Sequence, residues 1–340
     1  MAEPLLEVKD LKVSFRTEDG VVRAVDGVSF TVDQGEVLGI VGESGSGKSV
    51  TMMSVLRLIN DPNMQVEGEV IYKGRDLMKL HKNEMQEVRG DEIAMIFQDP
   101  MTSLNPVYTV GDQIIEAIVT HQELHKAAAK NRAIELLRQV GIPDAEARVD
   151  DFPHQFSGGM RQRAMIAMAL SNNPDVLIAD EPTTALDVTI QAQIIELIDK
   201  LKDEFNSAVI LITHDLGVVA EIANEIIVMY AGRVVERAPK RELFYDPQMP
   251  YTWGLLGSIP RLDRPKQERL HSIKGMPPSL INAPEGCRFR PRCPHAFDKC
   301  AEEPELLNRV DDHDHLDRCW LTVPDKRRLR EETISGEEAA

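Results

Sequence analysis

The chain has 340 residues, 42% of them hydrophobic and 28% charged, an ordinary globular composition that excludes a disordered tail protein or a collagen-like rod. At about 150 residues per domain, this length predicts roughly two domains. Lys and Arg total 39 against 56 Asp and Glu, a net charge of −17; the chain therefore lacks the basic footprint that wrapping nucleic acid requires, although a local anion site built from backbone N–H groups and one or two Lys remains open to it.

The opening MAEPLLEVKD has neither a basic n-region nor an apolar h-region, and no apolar run approaches the ~20 residues of a membrane span. The expectation is a chain that stays in the cytosol and reaches a membrane only through a partner. LEVKDLKVSF and AVDGVSFTV alternate apolar and polar positions, so residues 5–35 read as β-rich. Glu36–Val41 is a short apolar strand that runs straight into Gly42-Glu43-Ser44-Gly45-Ser46-Gly47-Lys48-Ser49, after which VTMMSVLRLI has helical spacing. Strand, Gly-rich loop and helix in that order form the βα unit of a phosphate-binding α/β fold. The loop residues Gly42, Ser44, Gly45 and Gly47 turn backbone N–H groups inward around phosphate oxygens, and the following helix adds its N-terminal partial charge. Lys48 reaches the β- and γ-phosphates, and Ser49 ligates Mg²⁺.

Four more short apolar runs follow: Ile93–Phe97, Val176–Ala179, Val209–Ile212 and Ile226–Met229. Their length and continuity suit parallel strands buried on both faces, and the helical stretches between them, such as QAQIIELIDKLKDEF, predict an α/β parallel sheet. Residues 107–150 hold only helical patterns and read as a helical insert. After about residue 245 prolines become frequent and all four cysteines appear, which marks a separate C-terminal module. The closing DKRRLREETISGEEAA is charged and is expected to fray.

Polar residues sit where these runs end. Asp180 follows Val176–Ala179 and can hold Mg²⁺; Glu181, next to it, can act as general base or position the water that attacks a γ-phosphate. Gln98 follows the run at 93–97, and His214 follows the run at 209–212 after Thr213. Ligands of open α/β sheets bind at such carboxyl ends. Ser157, Gly158 and Gly159 precede the helical run RQRAMIAMAL, with Ser157 a good N-cap type and the glycines exposing backbone N–H groups, a second helix start suited to phosphate.

This set resembles the ATP-binding cassette (ABC) family, with Walker A at 42–49, the Q-loop at Gln98, the signature at 156–160, Walker B at 176–181, the D-loop at Ala185-Leu186-Asp187 and the switch histidine at His214. The resemblance implies a P-loop NTPase fold: a RecA-like parallel sheet with an antiparallel β subdomain, a helical subdomain inserted at about 99–160, a nucleotide-binding domain over 1–245 and a small metal-binding extension over 246–340. It implies ATP as ligand, Mg²⁺ held by Ser49, Gln98 and Asp180, catalysis by Glu181, His214 and Gln98, and adenine stacked on Phe15. It also implies a head-to-tail dimer in which Ser157, Gly158, Gly159 and Asp187 serve a site shared with the partner. The signature departs from the family's Leu-Ser-Gly-Gly-Gln, reading Phe156-Ser157-Gly158-Gly159-Met160, but keeps the three residues that contact phosphate.

A closer resemblance is to the ATPase subunits of the dipeptide and oligopeptide importers, the peptide/nickel group. FQDPMTSLNP at 97–106, DEPTTALDVTIQAQI at 180–194, PYTWGLLGSIPRL at 250–262 and GCRFRPRCP at 286–294 carry it. It implies a peripheral subunit on the cytoplasmic face of the membrane. Its partners are a second, different cassette ATPase, two membrane permeases and, through the complex, an extracytoplasmic binding protein, with no nucleic acid. The function implied is ATP-driven uptake of di- and oligopeptides. The alternatives are a non-peptide cargo such as a nickel chelate or an oligosaccharide, or a soluble ABC ATPase of translation or repair. The cysteines Cys287, Cys293, Cys300 and Cys319 follow C-x5-C-x6-C-x18-C, which is not the paired spacing common in zinc sites. Four thiolates suit a four-iron cluster, and some members of the group carry a [4Fe–4S] cluster in this tail; zinc is the second reading and unligated thiols the third. His295, His313 and His315 read as solvated loop residues.

Overall fold

The computed structural model describes residues 3–184, 186–258, 273–310 and 314–335. The strands used below are β1 (Leu6–Thr17), β2 (Gly20–Val32), β3 (Val37–Val41), β4 (Met64–Tyr72), β5 (Ile93–Ile96), β6 (Val176–Asp180), β7 (Ala208–Thr213), β8 (Glu225–Tyr230), β9 (Arg233–Pro239) and β10 (Leu316–Asp317). The helices are α1 (Lys48–Val55), α2 (Val110–His121), α3 (Lys126–Gln139), α4 (Gly158–Ala169), α5 (Val188–Phe205), α6 (Pro250–Gly257) and α7 (Val323–Ser335). The chain forms two compact units: one of residues up to Leu5, Val32–Val37 and Asp76–Ile212, the other of Leu6–Thr31, Leu38–Arg75 and Thr213 onward.

In the first unit β5, β6 and β7 run parallel, Ile93 opposite Val176 and Val176 opposite Ala208. Every residue of β6 and β7 is buried, which is why their sequences are continuous apolar runs rather than alternating ones. Between β5 and β6 the chain forms α2, α3 and α4. Thr109 caps α2 by accepting the Asp112 N–H at 3.0 Å. The Gly111 N–H donates to the Val149 carbonyl at 2.8 Å, and a Cβ on Gly111 would lie 2.4 Å from that oxygen, so this approach requires glycine. α5 starts at the cap Asp187 and stops at Asn206, which takes the left-handed conformation (φ 53°) that Asn tolerates.

In the second unit β2, β1 and β4 lie side by side, with β1 and β4 antiparallel. Leu6 and Val8, then Leu11 and Val13, are the buried residues of β1; a register shift between Lys9 and Lys12 changes the parity so that the apolar face stays inward. β3 pairs parallel with β8, β8 antiparallel with β9, and β9 antiparallel with β10. The pairing is therefore mixed rather than wholly parallel. In the C-terminal part, Trp253 of α6 is buried and donates its indole N–H to the Pro247 carbonyl at 2.8 Å.

Two expectations fail here. The stretch from Asp325 to Ser335 is helical, within α7, rather than frayed. Its Lys326 is fully buried and pairs with the Asp317 carboxylate at 2.6 Å, so one residue of a charged run is a core anchor. His315 is not solvated: it is 1% exposed, with its Nε2 2.7 Å from the buried Glu236 carboxylate. His313 and residues 336–340 lie outside the described residues.

Candidate active site

The second unit holds the phosphate loop. β3 delivers the chain to Gly42, whose φ is +152° and where a Cβ would sit 2.2 Å from the Met229 carbonyl oxygen. At Gly47 (φ +100°) a Cβ would sit 2.4 Å from the Ala24 carbonyl oxygen. Both positions thus demand glycine for conformation and for space. Gly47 is also the N-cap of α1 and offers no side chain to the first helical turn, which leaves that turn's N–H groups for an anion. Lys48, 5% exposed, curls back over the loop and donates to the Gly42 and Glu43 carbonyls at 2.8 and 3.0 Å. Ser49 is the second residue of the same helix. Phe15 lies on β1 opposite Met64 and is half-buried. His214 is exposed, beside Thr213, whose hydroxyl accepts the Asp215 N–H at 3.0 Å.

The first unit holds the strand-end carboxylates. Asp180 closes β6 and is buried. Glu181 follows with φ +46°, a left-handed backbone that is costly for a non-glycine and typical of functional positions. Its carboxylate Oε2 accepts two hydrogen bonds, from Gln98 Nε2 at 2.9 Å and from the Thr184 hydroxyl at 2.8 Å. Gln98 and Glu181, which the sequence places at the ends of separate strands, are therefore joined directly. Two donors on one oxygen fix the orientation of the carboxylate, as a base that must aim at a water requires.

The signature begins α4. The Ser157 hydroxyl accepts the Met160 N–H at 3.3 Å, the cap that the sequence implied. A Cβ on Gly159 would lie 3.1 Å from Ile190 and one on Gly158 3.8 Å from Leu186, so the signature glycines pack on the start of α5. Asp187 caps α5 by accepting the Ile190 N–H at 3.0 Å; Ala185 is outside the described residues.

Cys287, Cys293, Cys300 and Cys319 line one small pocket, together with Phe289, His295 and other residues, and none is in a disulfide. The Cys287 N–H donates to the Cys300 carbonyl at 3.0 Å. Burial pushes the Cys293 and Cys319 thiols up to about 12, so both are neutral at physiological pH. Among the described residues no three His, Cys, Asp or Glu side chains stand close enough to hold a metal ion in this arrangement.

Sequence reasoning missed two kinds of residue. Thr184 orients Glu181, yet a threonine three positions after a glutamate carries no signal of its own. Arg292 and Tyr251 contact the phosphate loop from far along the chain; Arg292 spans the Glu43 carboxylate with contacts of 2.6 and 3.0 Å. Only folding reveals pairs separated by that distance in sequence.

Comparison with known proteins yields two family matches: residues 25–184 match the family described as ABC transporter, and residues 235–300 match the oligopeptide/dipeptide transporter, C-terminal region. The chain is 55% identical over 322 residues to the oligopeptide transport ATP-binding protein OppD of Bacillus subtilis, covering 94% of this chain and 90% of that one. It is 52% identical to the dipeptide transport ATP-binding protein DppD of Lactococcus lactis subsp. cremoris, with 95% and 92% coverage. Among solved structures, the dimeric post-hydrolysis state of the ATP-binding cassette MJ0796 bound to ADP and Pi superposes with a TM-score of 0.63 at 28% identity, covering 69% of this chain and 99% of that one.

Proposed function

The chain belongs to the ATP-binding subunits of the oligopeptide/dipeptide group of ABC transporters, and from that premise we propose that it binds and hydrolyses ATP to power the uptake of di- and oligopeptides through a membrane complex. The observation that carries the hydrolytic reading is the Glu181 carboxylate, held by Gln98 and Thr184 at the end of a fully buried strand.

In this reading residues 1–245 are the nucleotide-binding domain, with the helical insert at about 99–160, and 246–340 the extension; the two family matches, 25–184 and 235–300, support that division. Gly42, Ser44, Gly45 and Gly47 wrap the phosphates, Lys48 exchanges its carbonyl partners for phosphate oxygens, and Phe15 stacks on adenine. Ser49, Gln98 and Asp180 are the residues that would hold Mg²⁺, which neutralises phosphate charge when bound. Glu181 orients the attacking water and takes its proton, and His214 contacts the γ-phosphate. Ser157, Gly158 and Gly159 complete the ATP site of a partner cassette, with Asp187 at the same seam; the dimeric assembly of the MJ0796 cassette supports that arrangement.

The partners are a second cassette ATPase, different in sequence, two permeases and, through them, an extracytoplasmic binding protein. No helix among the described residues is long and apolar enough to cross a membrane, so attachment at the cytoplasmic face runs through the permeases. An open groove of about 830 Å³ lined by Tyr108, Glu116 and Thr120, with Val107, the residue before Tyr108, exposed, supports docking of a permease helix on the insert.

Cys287, Cys293, Cys300 and Cys319 would hold a [4Fe–4S] cluster only after their side chains close in from the arrangement described above, in which no three of them stand close enough for a metal ion. Their convergence on one pocket supports that donor set, and a cluster there would tie the stretch 287–300 to Cys319. Protein purified without oxygen is expected to be brown and to contain about four irons per chain; a colourless, zinc-loaded preparation would overturn the assignment. For the transport reading, Lys48→Ala in the reconstituted complex is expected to abolish ATP binding and peptide uptake together. Uptake at the wild-type rate would contradict it.

A further inference from the structure

Glu43 is a residue of the loop that must receive a polyphosphate, and its carboxylate carries a negative charge. Three contacts from the C-terminal part of the chain hold it. The Arg292 guanidinium forms a two-pronged pair with it, Nη1 to Oε2 at 2.6 Å and Nη2 to Oε1 at 3.0 Å. The Tyr251 hydroxyl accepts the Glu43 backbone N–H at 2.9 Å. Arg292 is itself over-determined: its Nε donates to the Lys274 carbonyl at 3.1 Å, its Nη2 to the Ile273 carbonyl at 3.3 Å and its Nη1 to the Tyr230 hydroxyl at 3.3 Å, and its side chain is only 4% exposed. Phe289 packs against Tyr230 and Tyr251, with ring centroids 5.4 Å apart in both cases, so the aromatic wall behind the guanidinium is continuous with the segment that bears Cys287 and Cys293.

We propose that Arg292 is a positioning residue of the nucleotide site: it clamps Glu43 and cancels its charge, so that the phosphate loop presents a net attractive cradle only while the cysteine-bearing extension is docked. The inference rests on the ATP-site reading given above. A charge-assisted, bidentate pair fixes geometry as well as charge, and breaking a largely buried pair leaves the surviving partner uncompensated. Here the survivor is an anion borne by a residue of the phosphate loop. The extension is then a working part of the ATP site and not an appendage, and its state is transmitted to nucleotide affinity through the one residue that immediately precedes Cys293.

The test is the affinity of the full chain for a fluorescent ATP analogue with Mg²⁺, measured beside the thermal unfolding midpoint. Arg292→Ala is expected to weaken binding about tenfold, from the uncancelled charge at close range. Arg292→Lys, which keeps the charge but not the fork, is expected to lose less. The decisive variant combines Arg292→Ala with Glu43→Gln: removing the orphaned charge is expected to recover most of the affinity without restoring the unfolding midpoint. A structural role alone would not produce that rescue. Wild-type affinity in Arg292→Ala, or equal weakness in the single and double variants, would overturn the proposal. Lys48→Ala, run in parallel, separates the two levels: if that variant bound the analogue normally, the ATP-site reading itself would fall.

Discussion

Glu181 combines a left-handed backbone with a carboxylate gripped on one oxygen by Gln98 and Thr184. The strain is local and the orientation is specific, a pairing expected of a group that must face a water and not merely carry charge. Glu181→Gln keeps the shape and one acceptor oxygen, replaces the other oxygen with an NH2 donor, and cannot accept the proton. It is expected to bind ATP normally and to hydrolyse it about 10²–10⁴-fold more slowly; near-normal turnover would remove Glu181 from the catalytic role. The placement of Gln98, Asp180, Glu181 and His214 at or just past strand ends was legible in the sequence because each follows an apolar run, and such ends are where these sheets bind ligands. Thr184 and Arg292 were not legible. Their roles depend on which oxygen each side chain meets after folding, and no periodicity encodes that.

Among the elements, the buried strands β6 and β7 and the helices α4 and α5 were readable, because a continuous apolar run, a Ser cap and the helical spacing of QAQIIELIDKLKDEF are local signals. β4 was not: only Val70 and Tyr72 of its nine residues are buried, so its sequence lacks a half-buried alternation. α7 was misread for the opposite reason. Its charge density suggests a solvated end, yet Lys326 inserts against Asp317, whose Oδ2 has no partner of its own. A buried Lys that neutralises a buried Asp is expected to be costly to remove. Lys326→Ala is expected to destabilise the chain by about 3 kcal/mol, read as a lower unfolding midpoint, and an unchanged midpoint would mean that α7 does not anchor the extension. In the helical insert, Gly111→Val forces a side chain against the Val149 carbonyl and is expected to cost about 2 kcal/mol by overpacking. Wild-type stability of that variant would show that α2 can move away from residue 149.

For the whole molecule, the two family matches divide the labour along the chain: the motor chemistry belongs to the ABC transporter region, and the segment from 235 marks the peptide-transporter group. The acidic composition speaks against a nucleic-acid wrapper, but no composition names a cargo or a second cassette. Those follow from assembly. In the proposed arrangement the signature serves a partner's site, so hydrolysis depends on a dimer; no helix among the described residues is long and apolar enough to cross a membrane. The most direct test of this account is to recover the Glu181→Gln protein from native membranes in the presence of ATP and to identify by mass spectrometry what stays bound. The account predicts two multi-spanning permeases and a second cassette ATPase. Recovery of soluble partners alone, with ribosomes or nucleic acid, would contradict the transport role while leaving the cassette chemistry in place.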